Sequence, residues 1–150
     1  MAEKIRARIG SELIAALKQK NTERAATLRL VSAALSAREK ELFAKGETGP
    51  LLDAECISVL QKEAKKRKES ITAFTSGNRE DLADKEKAEL AIIQEFLPTA
   101  MSEEEVISII DSVLAGGAAD FGAAMRAVLS QTAGRADGKM VSELIKSRMK

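Results

Sequence analysis

The chain has no histidine, tryptophan or tyrosine, a single cysteine and only four phenylalanines. Lacking histidine, it has no imidazole to serve as general base or metal ligand, and neither a Ser-His nor a Cys-His nucleophile can be assembled. One cysteine, Cys56, excludes an internal disulfide and a cysteine-based metal cluster, and suits a reducing compartment. There is no glycine-rich phosphate loop. With few aromatic residues the apolar content comes from Ala, Leu, Ile and Val, which disfavours strands and makes helix the expected class.

Charge of one sign is also lacking. The 24 Lys plus Arg and 23 Asp plus Glu nearly cancel, so no global field draws the chain to nucleic acid or to an anionic membrane, and any such contact must come from a local patch. No apolar run approaches the roughly 20 residues needed to span a bilayer, and no h-region opens the chain. A cytoplasmic protein with no membrane contact is expected. At 150 residues, a chain buries roughly two thirds of its unfolded surface, enough for one ordinary domain or two small helical parts.

What is present is helical periodicity broken at intervals. Ile5, Ile9, Leu13 and Leu17 predict a helix over 2–19, and Asn21 caps a second that carries Leu28, Val31, Leu35, Arg38 and Leu42 to about Lys45. Gly46, Gly49 and Pro50 break it, leaving 46–52 as the most flexible internal loop. Asp53 reads as the next N-cap, with Leu52 and Ile57 as a hydrophobic staple. The third helix carries a stripe of Ile57, Leu60, Ala64, Arg67, Ile71 and Phe74. Asn78, with Asp81 three residues on, opens a fourth that carries Leu82, Glu89, Ile92 or Ile93, and Phe96, and stops at Leu97-Pro98.

The tight turn at Gly77-Asn78 predicts an antiparallel hairpin of the third and fourth helices. A turn centred on residue 78 would pair Phe74 with Leu82, Ala64 with Ile92, Leu60 with Phe96, and Arg67 with Glu89. The last two charges occupy apolar stripe positions, so a partly buried ion pair that fixes register is expected, with snorkelling as the alternative. After Pro98 the helices shorten. Ser102 and Glu105 form a capping box with Met101 and Val106 as staple, and that helix ends at Gly116-Gly117. Asp120 caps a helix bearing Met125, Val128 and Leu129; Asp137 caps the last, bearing Val141, Leu144, Ile145 and Met149. The expected architecture is all-α, with an N-terminal helical domain over 1–97 and a small three-helix tail domain over 98–150.

Several strings, in order, carry a resemblance: Thr27-Leu-Arg-Leu30, Leu60-Gln-Lys-Glu-Ala-Lys-Lys-Arg-Lys-Glu-Ser70, the turn from Gly77 to Ala83, Glu95-Phe-Leu-Pro98 and Gly134-Arg-Ala-Asp-Gly-Lys139. Together they resemble the GatB/YqeY family, in its free-standing YqeY-like form, over essentially the whole chain. The resemblance implies an all-helical protein whose tail is similar to that of the B subunit of the glutamine-dependent aspartyl/glutamyl-tRNA amidotransferase, where the tail contacts tRNA. The kinase-like catalytic part of that subunit has no counterpart here, and there is no amidase signature. The carbon-nitrogen ligase activity associated with the family is therefore not expected of this chain alone. Gly138 departs from the pattern, since many amidotransferase tails have Pro or another residue there, and Gly presets the first helical turn less well.

The candidate RNA-binding residues are Arg135, Lys139, Lys146 and Arg148 in the tail, with Lys62, Lys65 and Lys66 on the third helix as an auxiliary patch. Arg and Lys beside a helix N-terminus offer a phosphate fixed charge together with free backbone N–H groups. The competing reading of both sets is a solvated face. Phe43, Phe74, Phe96 and Phe121 fall where core or loop anchors are expected, so recognition by shape and phosphate is expected over base stacking. No catalytic residue, metal site, cofactor or small-molecule substrate is expected. The expected partners are tRNA, or an amidotransferase or aminoacyl-tRNA synthetase subunit met through an exposed apolar helix face.

Overall fold

The computed structural model describes residues 4–132 and 134–149. Among them all regular structure is α-helical, in seven helices. The chain divides into two compact units, Met1–Leu97 and Pro98–Lys150.

The first unit holds α1 (Ile5–Lys18), α2 (Thr22–Ala44), α3 (Asp53–Ser76) and α4 (Glu80–Gln94). Residues 2 and 3 of the expected first helix lie outside the described residues. Asn21 caps α2 through its side-chain oxygen, which accepts from the Arg24 N–H at 3.2 Å. Lys20 and Asn78, both at φ 58°, take the left-handed conformation that closes α1 and α3. At the second of these the Arg79 N–H reaches back to the Phe74 carbonyl at 2.8 Å, so Asn78 ends α3 and does not open α4, as its side chain had suggested. Arg79 occupies the N-cap position of α4.

Asp53 also departs from expectation. It is the first residue of α3, Leu52 holds the N-cap position, and the Asp53 carboxylate accepts the Ile5 N–H at 2.9 Å. A residue 48 positions away thus caps α1, whose own N-cap residue, Lys4, makes no side-chain cap bond. The staple fails with it: Leu52 is 64% exposed, and it is Leu51 that is buried.

The core of this unit is built around Ile9, Leu28, Leu35, Leu60, Ile93 and Phe96. Full burial of each large side chain is worth about 1.5–3 kcal/mol. On α3 the buried set is Cys56, Leu60, Glu63, Ala64 and Arg67, whereas Ile57, Ile71 and Phe74 are half-buried. Ion pairs tie the helices together at the ends. Arg24 on α2 binds Glu95 at 2.8 Å and Glu12 on α1 at 3.0 Å, and the Glu95 bond is the main reason its guanidinium holds its proton more tightly than usual. Arg8 lies 4.6 Å over the Phe96 ring.

The second unit holds α5 (Glu103–Ala115), α6 (Phe121–Thr132) and α7 (Gly138–Arg148). Each helix is launched by an expected cap: Ser102 accepts from the Glu105 N–H, Asp120 from that of Ala123 and Asp137 from that of Lys139. Each then buries apolar side chains spaced by four, Val106 and Ile110, Ala124 and Val128, Val141 and Ile145, and α6 adds Thr132 one turn further on. That spacing places each pair on one face of its helix. The glycine at 138 does not prevent α7 from starting there.

Candidate nucleic-acid interface

In the tail, the turn between α6 and α7 presents Arg135, whose backbone groups and Nε are used internally. Its N–H donates to the Thr132 carbonyl, and its own carbonyl accepts the Met101 N–H, both at 2.8 Å. Its Nε donates to the Thr99 carbonyl at 2.8 Å. The side chain the sequence offers as a phosphate ligand is therefore also a strut, fastening the segment before α5 to the turn before α7. Arg148, at the end of α7, is held 3.2 Å from Asp111 on α5. Its charge is partly neutralised, although the pair is exposed and weak.

Lys139 and Lys146 differ from these. Lys139 follows Gly138 in the first turn of α7, its backbone N–H engaged by Asp137 while its side chain is exposed. Lys146 is exposed and lies 5.7 Å over the Phe121 ring, a cation–π contact that orients the ammonium without cancelling its charge. Neither forms an ion pair among the described residues.

On α3, Lys62 and Lys65 are exposed and likewise form no ion pair there. Lys62 acts at a distance, helping the main partner Arg38 hold the Glu55 carboxyl below its ordinary range. Lys66, 69% exposed at its side chain, binds Glu63 at 2.9 Å. Two of the three auxiliary cations are thus uncommitted, and the third is shared with a neighbour one turn back.

The expected Arg67–Glu89 ion pair is not made. Arg67 is buried, but its Nη1 binds Glu63 at 3.0 Å and its Nε stands 4.0 Å from Glu86. Helical side chains lean toward the N-terminus of their helix, which lays Arg67 over Glu63 four residues back, and Glu preceding the cation by four is the favoured order. That local contact needs no interhelical register and wins. Glu63 and Glu86 escaped the sequence reading, although the spacing of Glu63 to Lys66 and Arg67 is legible in the chain. Phe43 also departs from its reading as an anchor, at 73% exposed, and Phe121 is 38% exposed.

Two shallow hollows in the first unit have volumes near 370 and 380 Å³. One is lined by Glu39, Lys40, Phe43, Glu47, Thr48 and Gly49, and Glu39 there is spent on Arg6 at 2.7 Å. The other, between α1 and α2, is lined by Lys20, Asn21, Thr22 and Arg29 among others. Neither places a nucleophile beside a base. Cys56 is fully buried, and burial, reinforced by Asp53, pushes its thiol pKa up, away from the thiolate that nucleophilic work requires. Among the described residues no group of three or more Asp, Glu or Cys could hold a metal ion.

The described residues thus form an all-helical protein of two units, with Lys62, Lys65, Lys139 and Lys146 exposed on its helices. The family model for Yqey-like proteins matches residues 6–149, and the chain belongs to that family. It is 33% identical over 145 residues to "Altered inheritance of mitochondria protein 41, mitochondrial" of Pyrenophora tritici-repentis, covering 92% of this chain and 77% of that protein. It is also 31% identical over 94 residues to an uncharacterized protein of Schizosaccharomyces pombe, covering 63% of this chain and 72% of that one.

Proposed function

We propose that this YqeY-like protein is a non-catalytic accessory factor that docks folded tRNA and works alongside tRNA-dependent amidotransferase in the cytoplasm. In this reading the α3–α4 pair is an antiparallel hairpin serving as a spacer or second docking face, and the tail is a three-helix bundle that makes the principal RNA contact. The observation that carries it is the set of exposed ammonium groups that form no ion pair among the described residues: Lys139 and Lys146 on α7, and Lys62 and Lys65 on α3. Such cations release counterions when they meet phosphates, and they bind RNA by backbone and shape.

The second reading is a helical adapter that meets a synthetase or amidotransferase subunit without touching RNA. It is favoured by apolar side chains left in solvent on the first unit, Ile14 at 56%, Leu30 at 51% and Phe43 at 73% exposed. Fluorescence anisotropy of labelled bulk tRNA, titrated at low and physiological salt, separates the two. RNA docking through a handful of phosphate contacts loses about 100-fold in affinity between those salts, and Lys139→Glu with Lys146→Glu abolishes it. Arg135 is left intact in that variant because it also holds the tail together. No binding at low salt sinks the RNA reading, and the exposed apolar side chains then become the surface to probe.

A further inference from the structure

The turn that joins α1 to α2 is fixed by its own backbone. The Lys20 and Asn21 N–H groups reach back to the Leu17 and Ala16 carbonyls at 3.2 and 2.9 Å, Lys20 holds the left-handed conformation at φ 58°, and the Asn21 side chain is spent on capping α2. Beside this turn lies the hollow of about 380 Å³, at the lower end of the span of about 300–1,000 Å³ typical of ligand sites. Its floor is apolar, with Ala16 and Ala25 buried and Leu17 left 46% exposed. Ile14, three residues before Leu17 and so on the same side of α1, extends that apolar edge at 56% exposed. The rim is cationic. Lys20 and Arg29 are exposed, and among the described residues neither forms an ion pair and no carboxylate lines the hollow. The neighbouring acids do not balance them: Glu12 is held by Arg24 at 3.0 Å, and Glu23, next to Thr22 in the chain, is not part of the lining.

We propose that this hollow docks a helical segment of a partner protein, one that seats a leucine-like side chain beside Leu17 and carries Asp or Glu one turn away, within reach of Lys20 and Arg29. The proposal rests on the adapter reading and gives it a place and a chemistry. Charge complementarity selects the occupant. Two unbalanced cations over an apolar floor match an apolar anchor and carboxylates presented together, and a helix supplies both from one face at a spacing of three or four residues. A phosphate chain would satisfy the two cations but leave Leu17 and Ile14 in water, so burial of apolar surface favours protein over RNA at this place. Because backbone bonds already hold the turn, little of the rim remains to be ordered on docking.

The test is an amide NMR titration of the full wild-type chain with designed peptides of about 15 residues, long enough to form helix. One is built of Glu and Ala with leucines spaced by three and four, a second has Lys in place of Glu, and a third has Ala in place of Leu. The acidic, leucine-bearing peptide is expected to shift Leu17, Lys20, Ala25 and Arg29 saturably, and the other two are not. In fluorescence anisotropy with that peptide labelled, Lys20→Glu with Arg29→Glu is expected to weaken binding by about tenfold or more, and added salt to weaken the wild-type complex. Unchanged affinity in that variant overturns the proposal. Saturable shifts centred elsewhere, as at Phe43, overturn the hollow and leave the adapter reading standing. An equal response of the hollow to the leucine-free peptide, to inorganic phosphate or to tRNA marks a plain anion site and overturns the proposal as well. If none of the peptides binds, the proposal falls, and the adapter reading is then judged by the tRNA titration alone.

Discussion

Replacing Arg135 with alanine separates a structural role from an electrostatic one. The substitution removes the Nε bond to the Thr99 carbonyl and loosens the support for the Met101–Arg135 backbone bond, while leaving the caps of α5 and α7 in place. A hydrogen bond from a charged donor is worth about 1.5–3 kcal/mol. Because Arg135 is only half-buried, the expected cost lies near the lower end, about 1–2 kcal/mol. In a unit this small each kcal/mol moves the midpoint by about 4–8 °C. Lys139→Ala, at an exposed side chain with no partner among the described residues, is expected to stay within about 0.5 kcal/mol of wild type. Thermal and urea unfolding followed by circular dichroism give both numbers, and amide exchange at Met101 reports the strut directly. If Arg135→Ala unfolds like Lys139→Ala and Met101 exchange is unchanged, the strut is refuted and the residue is free to act as a phosphate ligand alone.

Asp53→Ala strips the remote cap from α1 and is expected to cost about 0.5–2 kcal/mol, with faster exchange of the Ile5 amide; Asp53→Asn, which keeps an acceptor, should cost less, and equal losses would mean that charge and not the bond matters. Cys56 in the native protein is expected to resist a thiol reagent until the chain unfolds, since it is buried with a raised pKa; stoichiometric labelling under native conditions would contradict this. Gly138→Pro is expected to stabilise the protein by about 0.4–1 kcal/mol, because residue 138 opens α7, where proline is preorganised, and a Cβ there meets nothing within 4 Å. A lower unfolding midpoint for that variant would show that the first turn of α7 needs the freedom of glycine.

The caps at Asn21, Ser102, Asp120 and Asp137 were readable because each is a local event: a short polar side chain folds back onto an N–H two or three residues away, and the spacing alone specifies it. Val128, Val141 and Ile145 were readable for a similar reason, since helical period fixes which residues share a face, whereas Leu129 and Met149, read onto the same stripes, are 40% and 38% exposed. Asn78 misled because the same residue type both caps helices and tolerates the left-handed conformation; at φ 58° it does the latter. The basic candidates could be counted in the sequence, but not their occupation, because Thr99 and Asp111 lie 36 and 37 residues from Arg135 and Arg148.

The sequence by itself determined the helical class, most of the helix ends and the supply of cations without histidine or paired cysteine, because composition, capping and periodicity act within a few residues of one another. Tertiary structure decided which charges are spent. It turned Asp53 from a cap of its own helix into the cap of α1, made Arg135 a strut, and brought Glu86 rather than Glu89 towards Arg67. Those outcomes depend on how close one helix brings a side chain to another, and a distance between segments remote in the chain is set by packing of the core rather than by any local pattern.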